Sequence, residues 1–273
     1  MLDKKRLIEI AKTNNLKPHQ QEKHYIQTSL LNILSDYPVV FKGGTYLWFF
    51  HGLNRFSTDL DFTNNDSKQQ SIEDIKKTAK KLSQDLEKKM WLLDGIKIKT
   101  KINNLTKESV SIKIIAQGPL YTNENSSCFV DLDISYREKI ILPIISQSLN
   151  TFKYNQPIKI IKGMNLKEVF AEKIRAIITR KSINSQRDIY DLYFLISKHN
   201  LKINFEILEI INEKLKYYNT KFNKNIFNKK ILDKKENFKE LNDFVFDQVN
   251  DFDYYYNYIM KNIYAKEKKT CAE

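Results

Sequence analysis

The fold of this chain is decided by residues 39–63, which read VVFKGGTYLWFFHGLNRFSTDLDFT. The pattern predicts a strand, a tight turn, a short helix, a loop and a second strand. Val39, Val40 and Phe41 form the first strand, because β-branched and aromatic residues favour strands. Gly43 and Gly44 follow, and without a Cβ they let backbone N–H groups come close to whatever lies in front of them.

The turn after the first strand has the composition of an anion-binding site. Thr45 is expected to cap the helix that follows, and the N–H groups at a helix start bind anions. That helix, residues 46–53, is apolar almost all round and is expected to be buried. The turn is therefore predicted to hold a phosphate-sized anion.

Two carboxylates follow in the same stretch. Asp59 and Asp61 are separated by one residue, and alternate side chains of a strand point to the same face. Leu60 and Phe62 alternate with them and face the other way. Magnesium prefers carboxylate and phosphate oxygens, so the stretch predicts a nucleoside triphosphate held with Mg²⁺. Either half alone is more often an ordinary turn or a solvated strand end, and only the combination favours function.

The composition describes a globular, basic protein. Hydrophobic residues make up 41 % of the 273 positions and aromatic residues 12 %, which excludes a disordered chain. No apolar run approaches the ~20 residues that span a bilayer. The first residues lack the apolar core of a signal peptide, so a cytoplasmic location is predicted. Cys128 and Cys271 form no zinc or disulfide pattern and are interpreted as inert thiols.

The net charge of +13 is unevenly distributed. Residues 1–150 carry 22 basic and 17 acidic side chains, whereas residues 151–200 carry 10 and 4. Basic surfaces attract phosphate backbones through counterion release. A lysine-rich genome is the alternative explanation, but the clustering favours a nucleotide or nucleic-acid partner.

Hydrophobic periodicity predicts an α+β protein in two parts. Residues 1–155 are expected to form a mixed sheet flanked by helices, and residues 156–273 a helical bundle. Residues 142–161, with Pro143 and Pro157, are interpreted as the seam between them. Helices are predicted at 3–12, 19–36, 72–90, 166–181, 187–199, 204–218, 235–249 and 252–266, and further strands at 96–102, 109–115 and 128–135.

The strand at 128–135 offers a third carboxylate. Phe129, Asp131 and Asp133 fall on one face of it, because side chains alternate along a strand. Either aspartate is placed to join Asp59 and Asp61. Surface acids on an edge strand are the alternative interpretation.

Residues 166–191 carry a second group of charged side chains on predicted helices. Lys173 lies beside an apolar stripe on the first helix, and Asp188 and Asp191 share a face of the next. Two like charges at that spacing require compensation, which Lys173, Arg175, Arg187 or a metal would provide. An internal salt-bridge network that docks one helix on the other is the competing interpretation.

Taken together, these motifs resemble the nucleotidyltransferase superfamily that includes DNA polymerase beta, and more narrowly the AbiEii/AbiGii toxin family of bacterial toxin–antitoxin and phage-defence systems. The resemblance covers about residues 38–195. It is carried by KGGT at 42–45, RFSTDLDF at 55–62, DISYRE at 133–138, AEK at 171–173 and RDIYDL at 187–192.

The resemblance implies a fold, a reaction and a set of site residues. The fold is a polymerase-beta-like nucleotidyltransferase domain followed by a helical bundle, and the reaction is Mg²⁺-dependent transfer of a nucleoside monophosphate. Asp133 is preferred to Asp131 because it begins the DISYRE motif. The implied catalytic residues are Asp59, Asp61, Asp133, Lys173 and Asp188, with Asp59 and Asp61 as metal ligands, and the nucleotide-binding residues are Gly43, Gly44, Thr45, Arg55, Ser57 and Lys173.

The resemblance and the basic charge together suggest RNA as the acceptor, such as a tRNA 3′ end, and a separate cognate antitoxin as a partner. No membrane partner is expected. An aminoglycoside-type nucleotidyltransferase is one alternative, although a cationic acceptor suits a cationic surface poorly. A non-catalytic RNA-binding module of the same fold is the other, and the intact carboxylates argue against it.

Overall fold

The structure is a computed structural model that describes residues 1–66, 70–180 and 186–265. The chain divides into two compact units. The first consists of Met1–Gly52 and Phe56–Met164, and the second of Leu53–Arg55 and Asn165–Glu273. Cys271, which is interpreted from the sequence as an inert thiol, lies outside the described residues.

The first unit is a seven-stranded mixed sheet with helices. The strand order is β3-β4-β5-β2-β1-β7-β6, in which β1 pairs parallel with β7, β2 pairs parallel with β5, and the other neighbours are antiparallel. Its elements are α1 Lys4–Thr13, α2 Pro18–Leu34, β1 Val39–Lys42, α3 Gly43–His51, β2 Leu60–Asn64, α4 Ile72–Asp94, β3 Lys97–Leu105, β4 Ser109–Gln117, β5 Cys128–Ser135, β6 Ile145–Leu149 and β7 Lys159–Gly163.

The two faces of the central strands differ in burial. Leu60 and Phe62 of β2 and Leu132 and Ile134 of β5 are buried, whereas the alternating residues Asp61, Asp131 and Asp133 are partly exposed. Helices α2 and α4 contact each other and the sheet. Apolar side chains therefore collect on one face of the sheet, and polar side chains are left on the other.

Several predictions of elements in this unit are confirmed, and two strands were not predicted. The α+β class, the helices at 3–12, 19–36 and 72–90 and the three further strands are all present. Residues 142–161, interpreted from the sequence as a seam, contain β6 and the start of β7. Ile161 of β7 is buried, and β7 pairs with both β1 and β6. The boundary predicted at 155/156 stays a prediction, although β7 belongs to the first compact unit.

The second unit is helical. Its helices are α5 Leu166–Thr179, α6 Gln186–His199, α7 Phe205–Lys216, α8 Lys224–Leu232 and α9 Phe252–Asn262, with a 3₁₀ segment at Phe238–Asp243. The helix predicted at 235–249 is wrong: the α-helix ends at Leu232, and the 3₁₀ segment buries Phe238 and Leu241. Among the described residues, none of the helices has the length and apolar character that crossing a membrane requires.

Candidate active site

Strand register brings carboxylates together on the polar face of the sheet. In the parallel pairing of β2 with β5, Asp61 lies opposite Asp133. Opposed residues of paired strands point to the same face, so these two carboxylates share it. Asp59 is two residues before Asp61 and precedes β2 rather than lying within it.

The turn between β1 and α3 lies directly against Asp61. Gly43 has a φ of +79°, and a Cβ built on it would lie 2.3 Å from Oδ2 of Asp61. Lys42 pairs with Asp61 in the antiparallel register of β1 and β2. The diglycine and the aspartate strand are therefore adjacent in space as well as in sequence, and only a glycine fits at position 43.

Thr45 does not cap α3, contrary to expectation. The helix begins at Gly43, with Lys42 in the N-cap position and no side-chain cap bond. The fully buried Thr45 hydroxyl instead donates to the backbone carbonyl of Asp59, and it lies 2.8 Å from the Ser57 hydroxyl. Thr45 and Ser57 thus fix the segment that leads into Asp59. The reason is tertiary, because α3 packs against β2, the strand that follows this segment.

Burial and neighbouring charge act on Asp133. Burial raises the pKa of its carboxyl, and the nearby charges of Asp59 and Asp131 raise it further, against a hydrogen bond from Ser111 that lowers it. Asp131 lies opposite Lys113 of β4, whereas Asp133 lies opposite both Ser111 and Asp61. Of the two aspartates on β5, Asp133 is therefore the one aligned with β2.

A buried ion pair lies next to these aspartates. The ammonium of Lys42 lies 2.7 Å from Glu138, which also accepts a 2.6 Å hydrogen bond from Arg137. Glu138 ends the DISYRE segment, so the segment supplies both an aspartate opposite Asp61 and the partner of Lys42. This pairing positions the residue that precedes the diglycine.

The donor atoms of this unit suit a hard divalent cation. Over residues 1–66, 70–180 and 186–265, no group of three or more His, Cys, Asp or Glu side chains is arranged to hold a metal ion. Magnesium, however, is usually held by one or two carboxylates together with substrate phosphates and water. Asp61 with its neighbour Asp59 meets that requirement.

In the second unit, Asp191 is the centre of a buried ion-pair cluster. The Arg55 guanidinium donates to both of its carboxylate oxygens, at 2.6 and 2.7 Å. Lys173 lies 2.6 Å from Asp191 and 3.0 Å from Asp188. Arg55 is 2 % exposed and Asp191 0 %. The predicted residues Arg55, Lys173 and Asp188 are thus brought together, and Asp191, which the sequence prediction left out of the site, joins them.

Charge pairing sets the protonation of this cluster. Burial alone would raise the pKa of Asp191, but the charges of Arg55 and Lys173 outweigh it and bring the pKa to about 2. Burial likewise opposes the charges of Lys173 and Arg180 at Asp188, and its pKa is lowered overall. Burial would lower the pKa of Lys173, but the two aspartates raise it. All three groups are therefore charged near neutral pH.

The cations that neutralise Asp188 and Asp191 are only partly those that the sequence suggested. Lys173 contributes as expected, and Arg180 lies 2.6 Å from Asp188. Arg175 is paired with Glu172 instead, and Arg187 lies over the ring of Phe244 at 4.9 Å. Arg55 is 136 positions from Asp191 in the chain, so no local spacing could have indicated this pair.

Comparisons with known proteins identify the fold and the family. A crystal structure of a candidate nucleotidyltransferase from H. pylori superposes with a TM-score of 0.58 at 18 % identity, covering 89 % of this chain and 92 % of that one. MenT4, a nucleotidyltransferase toxin from Mycobacterium tuberculosis H37Rv, gives a TM-score of 0.52 at 17 % identity, covering 82 % and 75 %. At these identities the likeness shows the fold. No curated protein matches the chain.

The sequence profile of one family matches residues 28–258, which include both the carboxylate strands and the buried ion-pair cluster. Its description is the nucleotidyl transferase AbiEii toxin of type IV toxin–antitoxin systems. A match over that much of the chain establishes membership, and it confirms the polymerase-beta-like fold and the resemblance that the motifs indicated. The chain belongs to the AbiEii family of nucleotidyltransferase toxins.

Proposed function

We propose that this protein transfers a nucleoside monophosphate from a nucleoside triphosphate to a hydroxyl group of RNA, such as a tRNA 3′ end. The acceptor oxygen forms a bond to the α-phosphorus, the bond to the bridging oxygen breaks, and pyrophosphate leaves while the hydroxyl proton is released. The observation that carries the proposal is the register that places Asp61 opposite Asp133 and against Gly43.

The carboxylates form the reacting end of the proposed site. Asp59 and Asp61 would hold Mg²⁺, which when bound neutralises phosphate charge and lowers the pKa of a coordinated hydroxyl. Asp133, with its raised pKa, is suited to accept a proton or hydrogen bond from the acceptor hydroxyl. Phosphoryl transfer needs little more than such positioning and charge neutralisation.

Gly43 and Gly44 are proposed to bind the phosphates of the nucleoside triphosphate. Gly43 and Gly44 open α3, so their N–H groups are among those that have no partner within the helix. Such groups bind phosphate oxygens. Thr45 and Ser57 hold the neighbouring segment through buried hydroxyl contacts, and we assign them to positioning this end of the site.

Lys173 is proposed to bring positive charge to the nucleotide phosphates, as the family resemblance implies, with Asp188 orienting it. The contact that supports this role is the 3.0 Å pair between Lys173 and Asp188. Arg55 is proposed to contribute through its ion pair with Asp191, which holds the Arg55 guanidinium in place.

RNA is favoured as the acceptor by the net charge of +13. The family implies a cognate antitoxin, which we propose to be a separate protein. An aminoglycoside acceptor is disfavoured by the same charge.

Incubation with labelled nucleoside triphosphates, Mg²⁺ and total RNA should label a discrete RNA species. Asp61→Ala should abolish labelling while the circular-dichroism spectrum is unchanged. An active Asp61→Ala protein would contradict the metal-ligand role. If no nucleotide, metal or acceptor yields product, a non-catalytic RNA-binding module is the better description.

Lys173→Ala should weaken binding of a nucleoside triphosphate, measured by titration calorimetry. An unchanged affinity in a folded variant would mean that Lys173 acts only within the ion-pair cluster.

A further inference from the structure

The polar face of β5 extends beyond Asp133 to an exposed aromatic residue. Phe129 lies four residues before Asp133 on the same strand, so the two side chains point to the same face. Phe129 is 40 % exposed. Cross-strand pairing aligns it with Ile115 of β4, which is aligned in turn with Lys99 of β3. An apolar row with a lysine at its outer end therefore runs from β5 to the edge strand β3, on the face that also carries Asp133.

An open cavity of about 500 Å³ lies at this end of the sheet. Three aromatic rings line it, those of Trp91, Tyr121 and Phe129, together with the apolar side chains of Ile98 and Ile115. Trp91 is 52 % exposed at the C-terminal end of α4. The cavity therefore presents the flat, apolar surfaces on which planar rings stack.

Lysines surround these rings. Lys97 and Lys99 line the cavity, the Lys113 ammonium lies 4.7 Å from the centre of the Phe129 ring, and that of Lys97 lies 5.6 Å from the Trp91 ring. Lys101 is the next outward residue of β3 and is aligned with Lys113. Two acids also line the cavity, of which Glu87 accepts hydrogen bonds from the backbone and hydroxyl of Thr100 and Glu124 lies on the loop before β5.

We propose that this cavity, together with Lys99, Lys101 and Lys113, binds single-stranded nucleic acid, with a base stacked on Phe129 and phosphates on the lysines. Aromatic platforms beside a basic track are the arrangement that binds unpaired strands without sequence preference. The inference rests on the proposed function for the identity of the strand, which would be the acceptor.

Length along the strand supports that assignment. Four residues of β5 span about 13 Å between Phe129 and Asp133. That distance corresponds to roughly four nucleotides at the ~3.4 Å rise of a stacked strand. A strand held at Phe129 can thus present its end to the carboxylates on the same face of the same sheet.

An acidic protein segment would satisfy the lysines but not the rings. Its carboxylates have no planar surface to stack on Phe129 and Trp91, whereas a nucleobase uses both the rings and the adjacent ammonium groups. The combination of stacking surfaces and cations is the reason to choose nucleic acid.

The test is binding of a fluorescein-labelled single-stranded oligoadenylate of about 12 nucleotides, followed by anisotropy with the full chain. It is carried out in EDTA and without nucleoside triphosphate, so that catalysis is not required. Phe129→Ala should raise the Kd by about tenfold, since one base loses the aromatic ring on which it stacks. Replacing both Lys99 and Lys113 by Gln should reduce the slope of log K against log salt by about 1.4.

Matched controls separate this surface from general charge and exposed apolar area. Phe152→Ala removes another aromatic side chain that is 88 % exposed and does not line the cavity. Lys77→Gln with Lys80→Gln removes two exposed lysines of α4. In both control proteins, Phe129→Ala should still raise the Kd for the oligoadenylate by the same factor. As a second readout, the oligonucleotide should quench tryptophan fluorescence in the wild type and not in Trp91→Phe, which retains Trp48.

Three results would overturn the inference: an unchanged Kd in Phe129→Ala, an equal loss in Phe152→Ala, or equally tight binding of a duplex of the same sequence. Displacement by poly-L-glutamate at equal charge concentration, with the same dependence on Phe129, would identify an acidic protein segment instead. Phe129-dependent binding without RNA labelling would count against the proposed function alone. RNA labelling without Phe129-dependent binding would count against this surface alone.

Discussion

Gly43 is required both by the backbone conformation at this position and by the carboxylate of Asp61 beside it. Its φ of +79° is accessible to glycine and costly for other residues, and a Cβ there would collide with the Asp61 carboxylate. Gly52 offers a comparison, because its φ is +74° and a Cβ on it would meet no atom within 4 Å. The two positions share the backbone requirement and differ only in the neighbour.

Gly43→Ala should therefore be far more damaging than Gly52→Ala. Both variants should lose about 1–2 kcal/mol of unfolding free energy from the positive φ. Gly43→Ala should in addition lower kcat by about 100-fold, since displacing a reacting group by about 1 Å has that effect. Urea unfolding and the RNA-labelling rate measure the two quantities. Equal activities of the two variants would show that the close approach to Asp61 is not needed.

Asp191 provides a test of the buried cluster. Asp191→Asn leaves Arg55 and Lys173 with a neutral partner and should cost about 3–5 kcal/mol of unfolding free energy. Asp253→Asn breaks the exposed pair of Asp253 with Lys235, at 2.9 Å, and should cost less than about 1 kcal/mol. Similar losses from urea titrations of both variants would contradict the difference in burial.

The same aspartate predicts a pH dependence. Its pKa of about 2 in the folded protein lies below its ordinary value of 3.8. The stabilisation is therefore fully present above pH ~4 and is lost as the pH falls toward 2. The difference in unfolding free energy between wild type and Asp191→Asn should shrink over that interval. A difference that stayed constant from pH 5 to about 2 would exclude this assignment.

At the scale of elements, the pairing of β2 with β5 selects between the two aspartates of β5. Asp133 is opposite Asp61 and Asp131 is opposite Lys113. Periodicity places both aspartates on one face but cannot tell which lies in register with another strand. Register is set by long-range pairing, so only the folded sheet assigns it.

Asp133→Asn should reduce kcat by about 100-fold or more, the usual contribution of a group that handles a proton in the reaction. Asp131→Asn, one step along the same face, should change kcat by less than about tenfold. Single-turnover RNA labelling compares them, with equal melting temperatures as the control. A larger loss in Asp131→Asn would mean that the other carboxylate of β5 does this work.

The elements that sequence reasoning missed share a cause. β6 and β7 are short, contain few apolar residues and follow or flank prolines, so local propensity does not reveal them. Pairing with β1 stabilises β7 from outside its own sequence. Likewise, the 3₁₀ segment replaces the helix predicted at 235–249, and α8 forms before that range, because tertiary packing of Phe227, Ile231 and Phe238 overrides a weak local signal.

At the scale of the whole molecule, the first compact unit extends to Met164. Strand β7 buries Ile161, and Met164 follows it, also buried. A fragment ending at 155 lacks both side chains and leaves β1 and β6 without their shared neighbour. Burial of two such side chains contributes about 3–6 kcal/mol.

A fragment of residues 1–164 should therefore unfold at a clearly higher temperature than one of residues 1–155. Thermal melts by circular dichroism, with the full chain as reference, make the comparison. Equal melting temperatures would favour the boundary at 155/156 and assign residues 156–164 to the helical part.

The sequence by itself determined the family and the reaction class of this protein, and it predicted most residues of the candidate site. The reason is that the diglycine, the Asp-x-Asp strand and the later motifs are short local patterns whose chemistry depends on residue type and near spacing. The tertiary structure alone decided that Asp133 opposes Asp61, that Arg55 pairs with Asp191, and that Phe129 lines a cavity with lysines beside it. Each of these depends on contacts between distant parts of the chain, and no local pattern records which distant residues will meet.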